Sequence, residues 1–491
     1  MGIRRPAIST AVAAALIGSF GVPIVAGTAS AEDGAATVRE DFDGDGYQDV
    51  AVSAPGAKIG GHAWAGYITI SYGSANGVDS ARTTVITQDT PDVPGASGDN
   101  QVFGSAMISR DLDGDGLTDL AVVARDHRPE NNVNGSVIVL WGRKTGISGE
   151  GAVRIDAPAN AQVGDDLTAG DFDSDGHTDL FMRNGEDYDY HDVLYGPFSR
   201  DGVPARERQV QVYSTDNTIN STAAGDFNGD GIEDLATFYV YENHAEGGKL
   251  WLGTKDGLST VPQRLNSSSS TAVADFDQDG YADLATRIFP NGDTEGTEED
   301  PGTVKIYYGS PSGPSQTRTQ TITQSTAGVP GASEKGDQFG GRLSAGDANG
   351  DGYPDLAVGV PGEAIGSKAK AGAVVLLKGA KGGLTGTSAQ AFHQDTADVP
   401  GVAESGDVFG GSARLLDVTG DGKADLAAGA PGENLDAVVN GGAVWLLRGA
   451  ASGLTASKSV AQNPQDLGAP AAKALFGANL SGDNGPGTLI P

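Results

Sequence analysis

A chain of 491 residues and 49.6 kDa is long enough for several domains or for one large assembly of repeats. With 75 glycines, 38% hydrophobic and only 6% aromatic residues it reads as globular and built of many short elements, and glycines without a period of three exclude collagen. A formal charge of −33 speaks against a nucleic-acid partner, and the absence of cysteine excludes disulfides, thiolate metal sites and cysteine nucleophiles.

Residues 1–31 read as a signal peptide. Arg4 and Arg5 form a basic start, Ala11 to Val25 are apolar or small, and Ala29-Ser30-Ala31 supplies a small-x-small cleavage site. The apolar run is shorter than the ~20 residues that a membrane span needs. Cleavage after Ala31 would leave residues 32–491 as a secreted chain of charge −35 with no later span.

Beyond this segment one pattern recurs seven times: an acidic residue, a second oxygen ligand at position 3, Asp-Gly at positions 5 and 6, and Asp at position 9. The copies begin at Asp41, Asp111, Asp171, Asp226, Asp275, Asp347 and Asp417, spaced by 70, 60, 55, 49, 72 and 70 residues. Each interval suits one four-stranded sheet, so seven units predict a seven-bladed β-propeller. Apolar runs of strand length follow each copy, as in Asp49-Val50-Ala51-Val52 and Asp355-Leu356-Ala357-Val358. Second runs follow, such as Tyr67 to Tyr72, Val137 to Trp141 and Val444 to Leu447, and no long helical period is present. The fold class is all-β.

The linkers Gln88–Gly104, Gln324–Gly340 and Gln394–Gly410 are near copies. Each ends in Phe-Gly, with Phe103, Phe339 and Phe409 eight residues before the next acidic motif. Ala54-Pro55-Gly56, Val360-Pro361-Gly362 and Ala430-Pro431-Gly432 follow the motif. Repeat three keeps only Val163-Gly164, and repeats four and five have Thr218-Ile219 and Ser267-Ser268 instead. Phe-Gly, an Asp-rich loop and Gly-Ala-Pro together resemble FG-GAP repeats, and the chain is thereby similar to the propeller of integrin α-subunits and its secreted bacterial relatives. The resemblance is strongest in repeats one, two, six and seven. It implies that each acidic loop joins the first two strands of a blade and binds calcium. A further Phe476-Gly477 near the C-terminus either pairs with the first blade and closes the ring or is the remnant of a lost repeat, and residues around Val38 are the other candidate for the first strand of blade one.

The candidate ligands are Asp41, Asp43, Asp45 and Asp49; Asp111, Asp113, Asp115 and Asp119; Asp171, Asp173, Asp175 and Asp179; and Asp275, Asp277, Asp279 and Asp283. Three copies carry one carboxylate fewer: Asp226, Asn228, Asp230 and Asp234; Asp347, Asn349, Asp351 and Asp355; and Asp417, Thr419, Asp421 and Asp425. Alternating oxygen side chains converge when the backbone curls, position 6 glycine permits the turn, and an all-oxygen cage suits calcium better than magnesium. An EF-hand would need an acidic position 12, which here is Val52, Val122, Met182, Thr237, Thr286, Val358 and Ala428. Up to seven calcium ions would lower the net charge from −35 to −21 and replace disulfides as staples. The four-carboxylate loops are expected to fill first.

No Gly-x-Ser-x-Gly elbow, His-Glu-x-x-His or phosphate-binding glycine loop is present. Rings gather between the second and third strands of blades one to four: His62 and Trp64, His127, Tyr188, Tyr190 and His191, then Tyr239, Tyr241 and His244. Equivalent loops of a propeller share a face, so these rings form either a recognition surface or packing between blades. The sequence reading is a secreted, monomeric, calcium-binding adhesion module without catalysis, whose partner is an extracellular protein or glycan. A carbohydrate-active protein on the same scaffold, lectin or lyase or hydrolase, is the alternative.

Overall fold

The computed structural model of the chain describes residues 40–482, apart from 79–80, 129–132, 157–166, 184–189, 213–217, 242–243 and 290–298. The expected signal peptide, Val38 and Tyr188 lie outside the described residues. These form twenty-seven strands and no helix, arranged as seven antiparallel sheets taken in chain order.

Blade one holds β1 (Val50–Ala54), β2 (Tyr67–Ser71) and β3 (Thr83–Ile86). Blade two holds β4 (Met107–Arg110), β5 (Asp119–Arg128), β6 (Val133–Leu140) and β7 (Val153–Asp156). Blade three holds β8 (Leu167–Gly170), β9 (Asp179–Arg183), β10 (Tyr190–Tyr195) and β11 (Arg206–Gln211). Blade four holds β12 (Thr218–Gly225), β13 (Asp234–Tyr241), β14 (His244–Trp251) and β15 (Gln263–Leu265). Blade five holds β16 (Thr271–Ala274), β17 (Asp283–Arg287), β18 (Val304–Tyr307) and β19 (Thr319–Ile322). Blade six holds β20 (Arg342–Gly346), β21 (Asp355–Val360), β22 (Ala373–Lys378) and β23 (Thr385–Phe392). Blade seven holds β24 (Ser412–Leu416), β25 (Asp425–Ala430), β26 (Ala443–Ala450) and β27 (Gly453–Gln462).

In blades two to seven the acidic loop joins the first strand to the second, and its position 9 Asp opens that second strand. The second strands are short apolar runs buried on both faces, as in Asp355–Val360 and Asp425–Ala430, because another blade packs on each side. The first strands of successive blades stand side by side around the axis, where a cavity of about 430 Å³ is lined in part by Arg342, Ser344, Arg414 and Asn479. Apolar side chains fill the seams between blades, one cluster per seam. The cluster between blades seven and one unites Val444 and Leu446 with Val50, Tyr67, Phe476 and Leu480.

Blade one takes its missing first strand from the far end of the chain. Leu480 pairs with Val52, as Met107 pairs with Val122 in blade two. Gly477 donates to the Ser53 carbonyl at 2.9 Å, Ser53 to Asn479 at 3.0 Å and Ser481 to Ala51 at 3.1 Å. Phe476 also repeats the seam contact of the other Phe-Gly pairs. Its backbone runs against Gly442 as that of Phe409 runs against Gly372, Phe339 against Gly302 and Phe103 against Gly66. All four glycines have positive φ, and a Cβ on any of them would fall 2.2–2.4 Å from the phenylalanine backbone. The ring therefore closes through residues 476–482, one of the routes that the sequence left open.

Candidate metal centres

The seven acidic loops share one backbone scaffold. The Asp at position 1 accepts the N–H of the position 6 glycine at 2.7–3.0 Å in every copy. The Asp at position 5 accepts the N–H of position 7 at 2.9–3.2 Å, also in every copy. Position 6 stands at φ between 80° and 93° from Gly46 to Gly422, a region that residues with a Cβ avoid. The repeated Gly is thus dictated by the turn that curls the carboxylates inward.

Carboxylate oxygens of Asp41, Asp43 and Asp45 lie within 4.8 Å of one another, as do those of Asp111, Asp113 and Asp115 and of Asp275, Asp277 and Asp279. In blade three the converging set is Asp171, Asp173 and Asp179. In copies four, six and seven, Asn228, Asn349 and Thr419 stand at position 3 beside the two flanking Asp residues. Buried Asp173 Oδ1 and Asp277 Oδ1 accept no hydrogen bond, which leaves acceptors aimed at no protein donor. An all-oxygen donor set with orphaned buried acceptors fits a hard cation such as calcium.

The position 9 carboxylates sit deeper. Asp49 accepts the N–H of Phe42 at 2.8 Å and of Gly73 at 2.9 Å. Asp119, Asp179 and Asp283 are held in the same way by Leu112 and Gly142, Phe172 and Gly196, and Phe276 and Gly309. Asp425 takes Thr419 and Gly449, and Asp234 takes Gly253. Asp355 takes Gly379 and also the Lys378 ammonium at 3.3 Å. Burial pushes the carboxyls of Asp49, Asp119, Asp179 and Asp234 up to about 8, against the opposing pull of these N–H donors. Asp283 is raised by burial to about 7, and Asp355 and Asp425 to about 6.

Each loop also lies on a seam. Backbone carbonyls of loop positions 1 or 2 accept N–H groups from the next blade at six seams, for example Thr118 to Asp41 at 3.3 Å and Glu233 to Asp171 at 3.1 Å. The seam between blades seven and one is built likewise, with Gln48 donating to Asp417 at 3.2 Å and Ser74 to Val418 at 3.1 Å. Anything that fixes a loop therefore fixes the joint between two blades.

Sequence reasoning about ligands alone missed four arginines that stand on these loops. Arg82 pairs with Asp43 and Asp45, Arg200 with Asp113 and Asp115, Arg206 with Asp173, and Arg318 with Asp277 and Asp279. Each guanidinium lies over a ring: Tyr72 at 4.8 Å, Trp141 at 4.8 Å, Tyr195 at 3.6 Å and Tyr308 at 4.6 Å. The available signal was an aromatic residue immediately before Gly73, Gly142, Gly196 and Gly309, in the four copies with Asp at position 3.

The rings expected between second and third strands have mixed fates. His62 is exposed and faces Asp99 at 3.6 Å, Trp64 is half-buried, and Tyr241 and His244 are exposed at the β13–β14 turn. His191 is instead 1% exposed and stacks on Phe181 at 4.9 Å, so it is a packing element. Tyr239 packs half-buried on the cluster between blades three and four. His127 lies in β5 and Tyr190 in β10, both within strands and not in loops.

Known proteins place the chain. Phosphatidylinositol-glycan-specific phospholipase D of Bos taurus is 32% identical over 154 residues, which are 31% of this chain and 18% of that enzyme. The Homo sapiens enzyme is 30% identical over the same shares, so the chain spans less than a fifth of the length of these relatives. Among solved structures, the Dos1 propeller aligns with a TM-score of 0.42 and 10% identity over 84% of this chain and 81% of that one. The FG-GAP repeat model matches residues 34–71, 268–307, 339–377 and 409–447, and the FG-GAP-like repeat model matches 111–182 and 226–286. Repeat five, which lacks Phe-Gly, is matched by the first model, and it keeps the full Asp loop and its following strands. With more than half its length so matched and seven blades in a closed ring, the chain belongs to the FG-GAP repeat family.

Proposed function

We propose that the chain acts outside the cell as a calcium-binding propeller of the adhesion type, a monomer that captures an extracellular protein or glycan and catalyses nothing. The observation that carries the metal part is the convergence of three carboxylates within 4.8 Å in four of the loops, from positions 1, 3 and 5 in blades one, two and five and from positions 1, 3 and 9 in blade three, at loops that join neighbouring blades. Asp41, Asp43 and Asp45 and their counterparts in the other copies would hold the ion, with Asp49 and the other position 9 residues behind them. Calcium supplies positive charge that relieves repulsion among these carboxylates. The protein supplies a preformed turn and a seam that the filled loop stiffens. Capture is assigned to the face carrying the exposed His62, Tyr241 and His244, because turns between second and third strands share one side of a propeller.

A second reading is kept because the matched relatives are enzymes named for a glycan-bearing lipid. It makes the chain a carbohydrate-active protein, lectin or lyase or hydrolase. One experiment sorts them. The protein is applied to an array of glycans and matrix proteins with calcium and with chelator, and the bound glycans are checked for cleavage. Calcium-dependent capture without turnover supports the adhesion reading. Turnover above a heat-killed control moves the enzyme reading to first place, and no capture under either condition refutes both.

A further inference from the structure

The seven loops fall into two kinds, and the difference extends well beyond the loop. Where position 3 is Asp43, Asp113, Asp173 or Asp277, an arginine pairs with it and an aromatic ring lies beneath that arginine. Where position 3 is Asn228, Asn349 or Thr419, the ring position is held by Leu252, Lys378 or Arg448. Arg448 reaches away, to the carbonyl of Asn76, and among the described residues no arginine stands on those three side chains. Fourth carboxylate, arginine and ring thus occur together in four repeats and are absent together from three.

The physical reason lies in burial. The position 3 side chains Asp43 and Asp277 are 1% and 2% exposed, and Asp113 and Asp173 are 7% and 10% exposed. A carboxylate so placed is costly without a counter-charge. The guanidinium takes Oδ2 in every case, while Asp173 Oδ1 and Asp277 Oδ1 remain without a donor. A cation–π contact with the ring beneath helps to hold each guanidinium over its loop. The arginine and its carboxylate also bring the formal charge of these loops to that of loop four, and loops six and seven each lose a further charge, to Lys378 and Lys423.

We infer that Arg82, Arg200, Arg206 and Arg318 are resident cations of the four-carboxylate loops, which keep those loops folded without calcium and lower their calcium affinity to that of the three-carboxylate loops. This rests on the calcium reading above. It removes the order of filling expected from counting carboxylates, because the fourth is already neutralised. The ring beneath each arginine carries the effect outward. Tyr72, Tyr195 and Tyr308 accept N–H groups of Ile147, Leu258 and Leu384, each in the following blade.

The test is calorimetric titration of the chelated full chain with calcium chloride, comparing the parent with a variant carrying Arg82→Gln, Arg200→Gln, Arg206→Gln and Arg318→Gln. A unit charge about 5 Å from a divalent ion weakens binding by about tenfold even at the dielectric of water. Four sites should therefore tighten by about tenfold while three stay unchanged, and the calcium-free melting temperature should fall. Should the fourfold variant not survive chelation, Arg318→Gln alone is read by terbium luminescence sensitised through Tyr308, with the same expected tightening. Unchanged or weakened affinity overturns the inference. Absence of calcium heat in the parent protein overturns the calcium reading instead.

Discussion

Phe476→Ala is the sharpest probe of how the ring is held shut. The side chain is fully buried, stacks on Tyr67 at 6.4 Å between centroids, and anchors the segment whose backbone pairs with Ala51 and Ser53. Truncating a buried phenylalanine costs about 3–5 kcal/mol from lost transfer energy and the cavity left behind. With an unfolding entropy of about 2.1 cal/mol/K per residue over roughly 450 residues, each kcal/mol lowers the melting temperature by about 1 °C, so the expected drop is about 3–5 °C. Phe409→Ala is the matched control, since Phe409 is equally buried and lies against Gly372 as Phe476 lies against Gly442. Melting curves of the two variants should coincide within about 2 °C. Limited proteolysis should separate them: releasing residues 476–482 exposes the edge of β1, while the Phe409 variant keeps its edge covered. A Phe476→Ala protein that melts like the parent while Phe409→Ala is destabilised would refute closure through the C-terminal segment.

The calcium-free protein should lose stability as pH rises. Asp49, Asp119, Asp179 and Asp234 have folded values raised by burial from 3.8 to about 8, so protonation favours the folded state and that contribution fades as pH climbs from about 4 to about 8. Melting temperature in chelator should fall between about pH 4 and pH 8 and flatten in saturating calcium; a rise in chelator would contradict the reasoning. Chelation near neutral pH should lower the melting temperature, and calcium should restore it better than magnesium, with an unchanged curve counting against the metal reading. Asp277→Ala should destabilise more than Asn349→Ala, by about 1–3 kcal/mol in denaturant titration, because it removes the buried partner of Arg318 and leaves that guanidinium only Asp279; equal costs would show that the pair contributes nothing. Replacing His62, Tyr241 and His244 with Ala should weaken ligand capture at nearly constant melting temperature, and a variant that unfolds or binds normally would remove these exposed rings from the capture face.

The acidic loops and the strands beside them were legible in the sequence because both are set by local constraints. Ligands alternate along a curled backbone, glycine alone is at ease at the φ of Gly46 or Gly422, and Val50 to Val52 or Leu356 to Val358 must be buried. Seven repetitions of a local rule then fix the number of blades. What the linear order could not decide is which distant groups meet. Asn479 and Ser53 are joined only once the ring bends round, through bonds that depend on the curvature of all seven seams. The arginines illustrate the same limit. Arg82, Arg206 and Arg318 serve loops of their own blades, but Arg200 leaves blade three to stand on Asp113 and Trp141 of blade two. His191 carried no sign of burial in its neighbours Tyr190 and Asp192, and only the approach of Phe181 from β9 placed it in the core. Side-chain destination depends on the blade packed opposite, and that neighbour is chosen by the closed ring.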